Sequence, residues 1–211
     1  MDRPGRGWLV GGMMLVPVAE SELAGVVAFV NSAYRGDSAR RGWSHEADLL
    51  DGARIDEDML RADLARPGAR LLVLRKDAAD GLLGCVWLEP AEDGAWYLGM
   101  LAVRPDLQDR GLGREILAGA EAVAAAGGAR RVRMTVIGVR GSLIAWYRRR
   151  GYAATGETQA FPGEPARADL RFVVLEKAVQ GRALPDEARE ASKVEAPPQT
   201  PPKARLWKPL A

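Results

Sequence analysis

The stretch Leu98-Gly99-Met100-Leu101-Ala102-Val103-Arg104-Pro105-Asp106-Leu107-Gln108-Asp109-Arg110-Gly111-Leu112-Gly113-Arg114-Glu115-Ile116-Leu117 changes character in its middle. Its first six residues are apolar or small and read as the end of a strand. From Leu112 the apolar positions Leu112, Ile116 and Leu117 recur at the spacing of one helix face. The chain therefore leaves a strand, turns at Arg104-Pro105 and opens a helix through Gln108, Asp109, Arg110, Gly111, Leu112 and Gly113. Backbone N–H groups in the first turn of a helix lack intrahelical acceptors and carry partial positive charge. Gly111 and Gly113 take away side chains that would hold an anion off the main chain, and Arg110 and Arg114 add full charges beside it. The segment predicts a pyrophosphate cradle. A dinucleotide fold is not predicted, because that fingerprint needs a third glycine where this chain has Ile116.

Outward from this segment, strands at 70–75, 82–89 and 95–103 are joined by short turns, which implies an antiparallel meander. The helix at 111–126 ends at Gly127-Gly128. The next strand, 131–137, reaches 95–103 through that helix and so runs parallel to it. A helix at 141–150 stops at Gly151, and strands near 153–160 and 169–176 complete the pattern. Toward the N-terminus, 13–18 is a strand. Leu23, Val26, Val27 and Val30 mark a helix at 21–34 with Ser21 as its cap. Asp56 caps a helix running to Arg66, stopped by Pro67-Gly68, and Ser44 is placed to cap a short helix at 45–50. The order is that of an α/β (α+β) chain: a mixed, mostly antiparallel sheet with one parallel pair, flanked by helices. Such sheets take ligands at the carboxyl ends of their parallel strands.

The 211 residues are 47% hydrophobic and 27% charged, which suits one domain with extensions. Thirty Lys and Arg against 28 Asp and Glu leave a formal charge of +2, which argues against a nucleic-acid binder. One cysteine, Cys85, excludes an internal disulfide, and one histidine, His45, excludes a His-rich metal cage. No apolar run nears the roughly 18 residues of a membrane span. Trp8 to Val10 is too short for a signal-peptide core, so the cytoplasm is the expected compartment. Residues 1–12 are Gly-rich and aperiodic and read as a disordered extension; 13–177 form the domain. The segment 178–211 holds six of the 13 prolines and the whole charge excess, and it reads as a flexible tail with Trp207 near its end.

Two blocks carry a resemblance. The run Gln108-Asp109-Arg110-Gly111-Leu112-Gly113, after a strand ending Leu101-Ala102-Val103-Arg104-Pro105, resembles the Q/R-x-x-G-x-G/A acetyl-CoA motif of the GNAT superfamily of acyl-CoA-dependent N-acyltransferases. Ile144-Ala145-Trp146-Tyr147-Arg148-Arg149-Arg150-Gly151-Tyr152 resembles the family's helix-end pattern, apolar-x-x-Tyr-x-x-x-Gly-Phe/Tyr. The order of elements over 14–177 agrees. The resemblance implies a GNAT-like sheet whose parallel strands, 95–103 and 131–137, splay apart. It also implies acetyl-CoA as co-substrate and transfer of its acetyl group to a primary amine by direct attack. One residue departs from the pattern. Many members carry Asn seven positions before the helix tyrosine, where this chain has Arg140. Arginine has no acceptor with which to cap a helix, so pairing with a cofactor phosphate is expected instead.

Carried over residue by residue, the resemblance lays the pantetheine arm along the backbone of Leu101, Ala102 and Val103. A bulge there aims the Leu101 N–H at the thioester oxygen, where a donor stabilises growing charge. The phosphates fall to Gln108 through Arg114. Tyr147 matches the family's general acid for the departing thiolate. The attacking amine must lose a proton, and Glu89 is the candidate base, with Tyr97 to hold a water. The loop after the first long helix usually walls the acceptor site, which points to Tyr34, Arg35, Trp43, His45 and Glu46. Arg35 and Glu46 suit a carboxylate and an ammonium, or one another. Cys85 lies in an apolar run and reads as inert core. The acceptor reads as a small-molecule amine, with a protein N-terminus or lysine, or a non-catalytic acyl-CoA sensor, as alternatives. Neither nucleic acid nor membrane is an expected partner, and homodimers are frequent in the family.

Overall fold

The computed structural model describes residues 7–77, 81–161 and 170–179. The chain runs β1 (Trp8–Val10), β2 (Met13–Pro17), α1 (Leu23–Tyr34), α2 (Gly36–Ala39), α3 (Glu57–Leu64), β3 (Arg70–Arg75), β4 (Gly84–Pro90), β5 (Ala95–Val103), α4 (Leu112–Ala126), β6 (Arg131–Ile137), α5 (Gly141–Arg148), β7 (Ala153–Ala160) and β8 (Arg171–Ala178). The strands form one eight-stranded sheet in the order β1-β2-β3-β4-β5-β6-β8-β7. Neighbours are antiparallel except β5 and β6, which are parallel.

β3 and β4 are apolar without a break because the sheet is covered on both faces. Leu72, Leu74, Val86 and Leu88 pack with Ile116, Leu117, Ala120 and Val123 of α4. Their alternates Leu71, Val73, Cys85 and Trp87 pack with Leu23, Val26 and Val30 of α1 and Leu60 of α3. Each fully buried aliphatic side chain of this kind contributes roughly 1.5–3 kcal/mol. α4 lies so close to the sheet that a Cβ on Gly84 would stand 2.3 Å from Ile116 Cδ1.

The parallel pair is short. Ala95, Trp96 and Tyr97 face Arg131, Val132 and Arg133, and pairing stops there. From Leu98 and Met134 onward the two strands part, which opens the middle of the sheet toward the start of α4.

The ends of the chain differ from expectation. Trp8–Val10 form a strand on β2, where the sequence reads as a disordered extension. Three residues are too few to show a period, and the strand exists because Val10 reaches across to Gly119 of α4. β8 runs to Ala178, so the segment read as tail begins inside the sheet; the rest of that segment, with Trp207, lies outside the described residues. α1 is not capped by Ser21: the Glu22 carboxylate accepts from the Ala19 N–H at 2.9 Å across a 3-10 turn. Residues 45–50 form no helix, only turns in which Leu49 and Leu50 donate to the Glu46 carbonyl. Asp56 does cap α3, accepting from the Met59 N–H at 2.7 Å. No helix among the described residues is long and apolar enough to cross a membrane.

Candidate active site

The split between β5 and β6 is a cavity of about 380 Å³. Its walls are residues 98–103 of β5, residues 134–137 of β6, the start of α4, one side of α5 and the 34–54 loop. β5 is also irregular toward β4. Cys85 pairs with Ala102 and Trp87 with Gly99, so Met100 and Leu101 together stand opposite Val86. Two residues against one is a β-bulge. Met100 takes the left-handed conformation there, at φ 48°, which a long side chain adopts only when its surroundings impose it. Leu101 therefore has no cross-strand partner on either side.

At one mouth of the cavity α4 begins. Gly111 sits at φ 85°, open to glycine and strained for other residues. The first helical bonds are donated by Arg114 and Glu115, both to the Gly111 carbonyl, so the preceding N–H groups lie outside the ladder. A Cβ on Gly113 would meet Trp146 at 3.4 Å and Val103 at 3.7 Å, filling the space between α4, α5 and the end of β5. The Arg150 guanidinium stacks 3.6 Å over the Trp146 ring. Burial, and then the neighbouring charges of Arg149 and Arg114, lower its pKa. A mouth that crowds positive charge beside unpaired N–H groups is built for an anion.

At the other end a buried carboxylate is surrounded by guanidinium groups. Glu46 Oε2 accepts from Arg35 at 2.5 Å and Arg54 at 2.6 Å, and Oε1 from Arg140 at 3.3 Å. Burial opposes the charged form of Glu46, but Arg54, Arg140 and Arg35 outweigh it and hold the carboxyl below its usual range. Arg140 also donates to Ser44 Oγ at 3.0 Å.

Three tyrosines face the space between these ends. Tyr34 donates to the Leu101 carbonyl at 2.8 Å, and burial raises its pKa to about 12. The Tyr97 hydroxyl lies 3.0 Å from Thr135 Oγ1, linking β5 to β6 just past their last paired residues. Tyr147 lines the cavity from α5, and burial pushes its phenol well above the ordinary value. A phenol is protonated near neutrality with or without that shift, so the Tyr147 hydroxyl has a proton to donate.

The structure brings most of the expected residues together. Leu101, Ala102, Val103, Gln108, Asp109, Gly111, Gly113, Arg114, Arg140, Tyr34, Arg35, Trp43, Glu46 and Tyr147 all line the cavity. Leu112 and Arg110 are outside the lining: the Leu112 side chain packs on the core and Arg110 is exposed. Four positions differ in what they do. Gln108 does not offer its amide to the cradle; it accepts from the Ser44 N–H at 3.0 Å and so pins the loop over β5. Arg140 does not cap α5, as expected, but it is held by Glu46 and Ser44 instead of pointing at the cradle. His45 is outside the lining, with Nε2 3.9 Å from Asp48. Glu89 is outside it too, paired with Arg66 at 3.0 Å. Glu89 faces Tyr97, at the closed end of the split, so its carboxylate cannot touch an acceptor lying further along. Cys85 is fully buried between β4 and α1, with its thiol raised by burial to about 12, and does not line the cavity.

Arg54 was missed by the sequence. It sits in an aperiodic loop and nothing local marks it, although its guanidinium stacks 4.1 Å over the Tyr34 ring.

The model of the acetyltransferase (GNAT) family matches residues 33–152, more than half of the chain and all of the cavity's principal walls. The chain belongs to the GNAT family. No curated protein matches it in sequence. Among solved structures, the GNAT chain resembles the ribosomal-protein-S18-alanine N-acetyltransferase from Escherichia coli (13% identity, 82% of this chain and 99% of that one, TM-score 0.59). It also resembles a GNAT-family acetyltransferase from Staphylococcus aureus (11%, 80% and 99%, 0.60). A third is a spermidine N-acetyltransferase chimera made in part from the Vibrio cholerae protein (13%, 80% and 96%, 0.61). At these identities the likeness is one of fold.

Proposed function

We propose that this GNAT chain is an acetyl-CoA-dependent N-acetyltransferase acting on a primary amine of a small molecule by direct attack. The observation that carries the reading is the continuity of one cavity from the start of α4, past Leu101 of the bulge, which pairs with neither neighbouring strand, to Tyr147 and the 34–54 loop. The residues present fit acetyl-CoA. The N–H groups at 111–113, with Arg114 and Arg150, suit a diphosphate, and the opening at Gly113 leaves the main chain approachable. The free edge of β5 at 101–103 suits an amide-bearing arm. When bound, acetyl-CoA supplies the activated acyl group.

The protein's own residues do the rest. Leu101 offers its N–H to the acyl oxygen, where a fixed donor is worth more as charge grows. Tyr147, whose phenol is protonated at neutral pH, gives its proton to the departing sulfur. The loop holds the amine beside the acyl carbon, which turns a bimolecular encounter into a positioned one. No covalent relay through Cys85 is needed or within reach. Amine deprotonation falls to solvent near Tyr97 and Thr135, with Glu89 behind Tyr97 as an outer group.

The test is thiol release from acetyl-CoA over a panel of small amines and peptides, with the acetylated product identified by mass spectrometry. Turnover on small amines is expected. Turnover on peptide amines alone moves the reading to a protein acetyltransferase. Calorimetric binding of acetyl-CoA without turnover on any amine overturns it in favour of a sensor.

A further inference from the structure

The Glu46 cluster does not balance. Three guanidinium groups surround one carboxylate, leaving two positive charges in a region where Arg35 is 8% and Glu46 4% exposed. The other acidic side chain of the cavity wall is Asp109, at the α4 mouth. Nε of Arg35 and Nε of Arg54 are buried with no hydrogen-bond partner. Buried guanidinium charge without a counter-charge is costly, and a family of donors without acceptors is costlier still. The planar forks of arginine match a carboxylate with two parallel bonds. The cluster is also near the chemistry. Arg54 stacks on the Tyr34 ring, and the hydroxyl of that ring is bonded to Leu101, so one tyrosine separates the surplus charge from the bulge.

Resting on the N-acetyltransferase reading, we propose that Arg35, Arg54 and Arg140 form an anion subsite for the acceptor, and that the acceptor is an amine carrying a carboxylate only a few bonds away, as in an amino acid. Glu46 holds the three forks in place in the cavity wall; it is a positioning residue. The cluster selects against polyamines, whose second cation would meet two unbalanced positive charges.

The experiment uses the full-length protein and matched acceptors: alanine with ethylamine, phenylalanine with phenethylamine, and β-alanine with 2-aminoethylphosphonate and spermidine. For at least one of the first two pairs, kcat/KM for the carboxylate member exceeds that of its partner by roughly ten- to a hundredfold, the worth of a charged hydrogen-bonded pair. Arg54→Gln and Arg140→Gln raise the acceptor KM by a similar factor and leave the calorimetric Kd of acetyl-CoA within about twofold. Arg140→Lys recovers part of the loss. The β-alanine and phosphonate arms separate a carboxylate site from a general oxyanion site; preference for the phosphonate overturns the carboxylate assignment. Equal or better turnover of ethylamine, phenethylamine or spermidine overturns the subsite while the acetyltransferase reading stands. A second readout does not depend on turnover: saturation-transfer NMR with N-acetylphenylalanine and N-phenethylacetamide. Contact with the first only, abolished by Arg54→Gln, supports the subsite even in an inactive protein; equal contact with both, or with neither, overturns it.

Discussion

The hydroxyl of Tyr34 donates a 2.8 Å hydrogen bond to the carbonyl oxygen of Leu101. It joins the last residue of α1 to the bulge of β5, and through Arg54 on its ring it joins both to the arginine cluster. Tyr34→Phe keeps the ring and its packing and leaves a buried carbonyl without its donor. We expect a loss of about 1 kcal/mol in stability and a fall of about three- to tenfold in kcat as the Leu101 peptide loosens. KM for acetyl-CoA should change little. Denaturant unfolding and steady-state kinetics check this; an unchanged kcat would show that the bond serves folding alone.

Tyr147→Phe separates chemistry from binding. The ring makes edge contacts with Trp146 and Tyr152 at 5.0 and 5.7 Å, and phenylalanine retains them. Loss of the proton donor should lower kcat by about a hundredfold, with the calorimetric Kd for acetyl-CoA within about twofold. A variant as fast as the parent, in single-turnover measurements where release cannot mask chemistry, would remove Tyr147 from proton transfer.

Gly111→Ala tests the cradle. At φ 85° an alanine costs roughly 1–2 kcal/mol, and its relaxation would turn the following N–H groups away from an anion. The expected result is a Tm lowered by several degrees and a KM for acetyl-CoA raised about tenfold, with acceptor KM unaffected. A KM for acetyl-CoA that stays put while Tm falls would place the diphosphate elsewhere.

What the sequence made legible was local. The strand-to-helix change across 98–117 with its glycines at 111 and 113, and the helix-end pattern around Tyr147, are each read from a short run of neighbouring residues, and the cavity forms around them. β1 was not legible because its stability comes from Val10 on α4, a contact more than a hundred residues away in sequence. The arginine cluster was illegible for the same reason: Arg140 is 94 residues from Glu46, and Arg54 sits in a loop with no period. The place of Glu89 outside the cavity lining is not legible because strand alternation gives the face of a side chain but not how far along the strand the split begins. Pairing of β5 with β6 ends at Tyr97, the residue opposite Glu89.

Glu89→Gln follows from that geometry. Its carboxylate is tied to Arg66 and lies behind Tyr97, so the amide should lower kcat by less than about threefold and leave the basic limb of the pH–rate profile in place. A fall of about a hundredfold, or loss of that limb, would make Glu89 the base acting through a water chain past Tyr97.

Alkaline stability provides a check on the packing around the bulge. Tyr34 and Cys85 are both buried on the α1 face, and burial raises them from ordinary values near 10 and 9 to about 12. The unfolded chain therefore releases these protons at lower pH than the folded one. Between about pH 9 and 12 the folded state binds more protons, and stability must fall as pH rises. The contribution is fully present below pH 9, begins to fade first through Cys85 and then through Tyr34, and is gone above about 12. Tm measured from pH 7 to 11 should be flat at first and then decline. Cys85→Ala should start lower, because it leaves a small cavity, but its decline should be shallower and begin nearer pH 10. The thiol should resist alkylation at pH 8 in the folded protein and react on unfolding. A Cys85 that alkylates readily at pH 8, or a decline identical in Cys85→Ala and the parent, would mean that β4 and the bulge open far more easily than this packing allows.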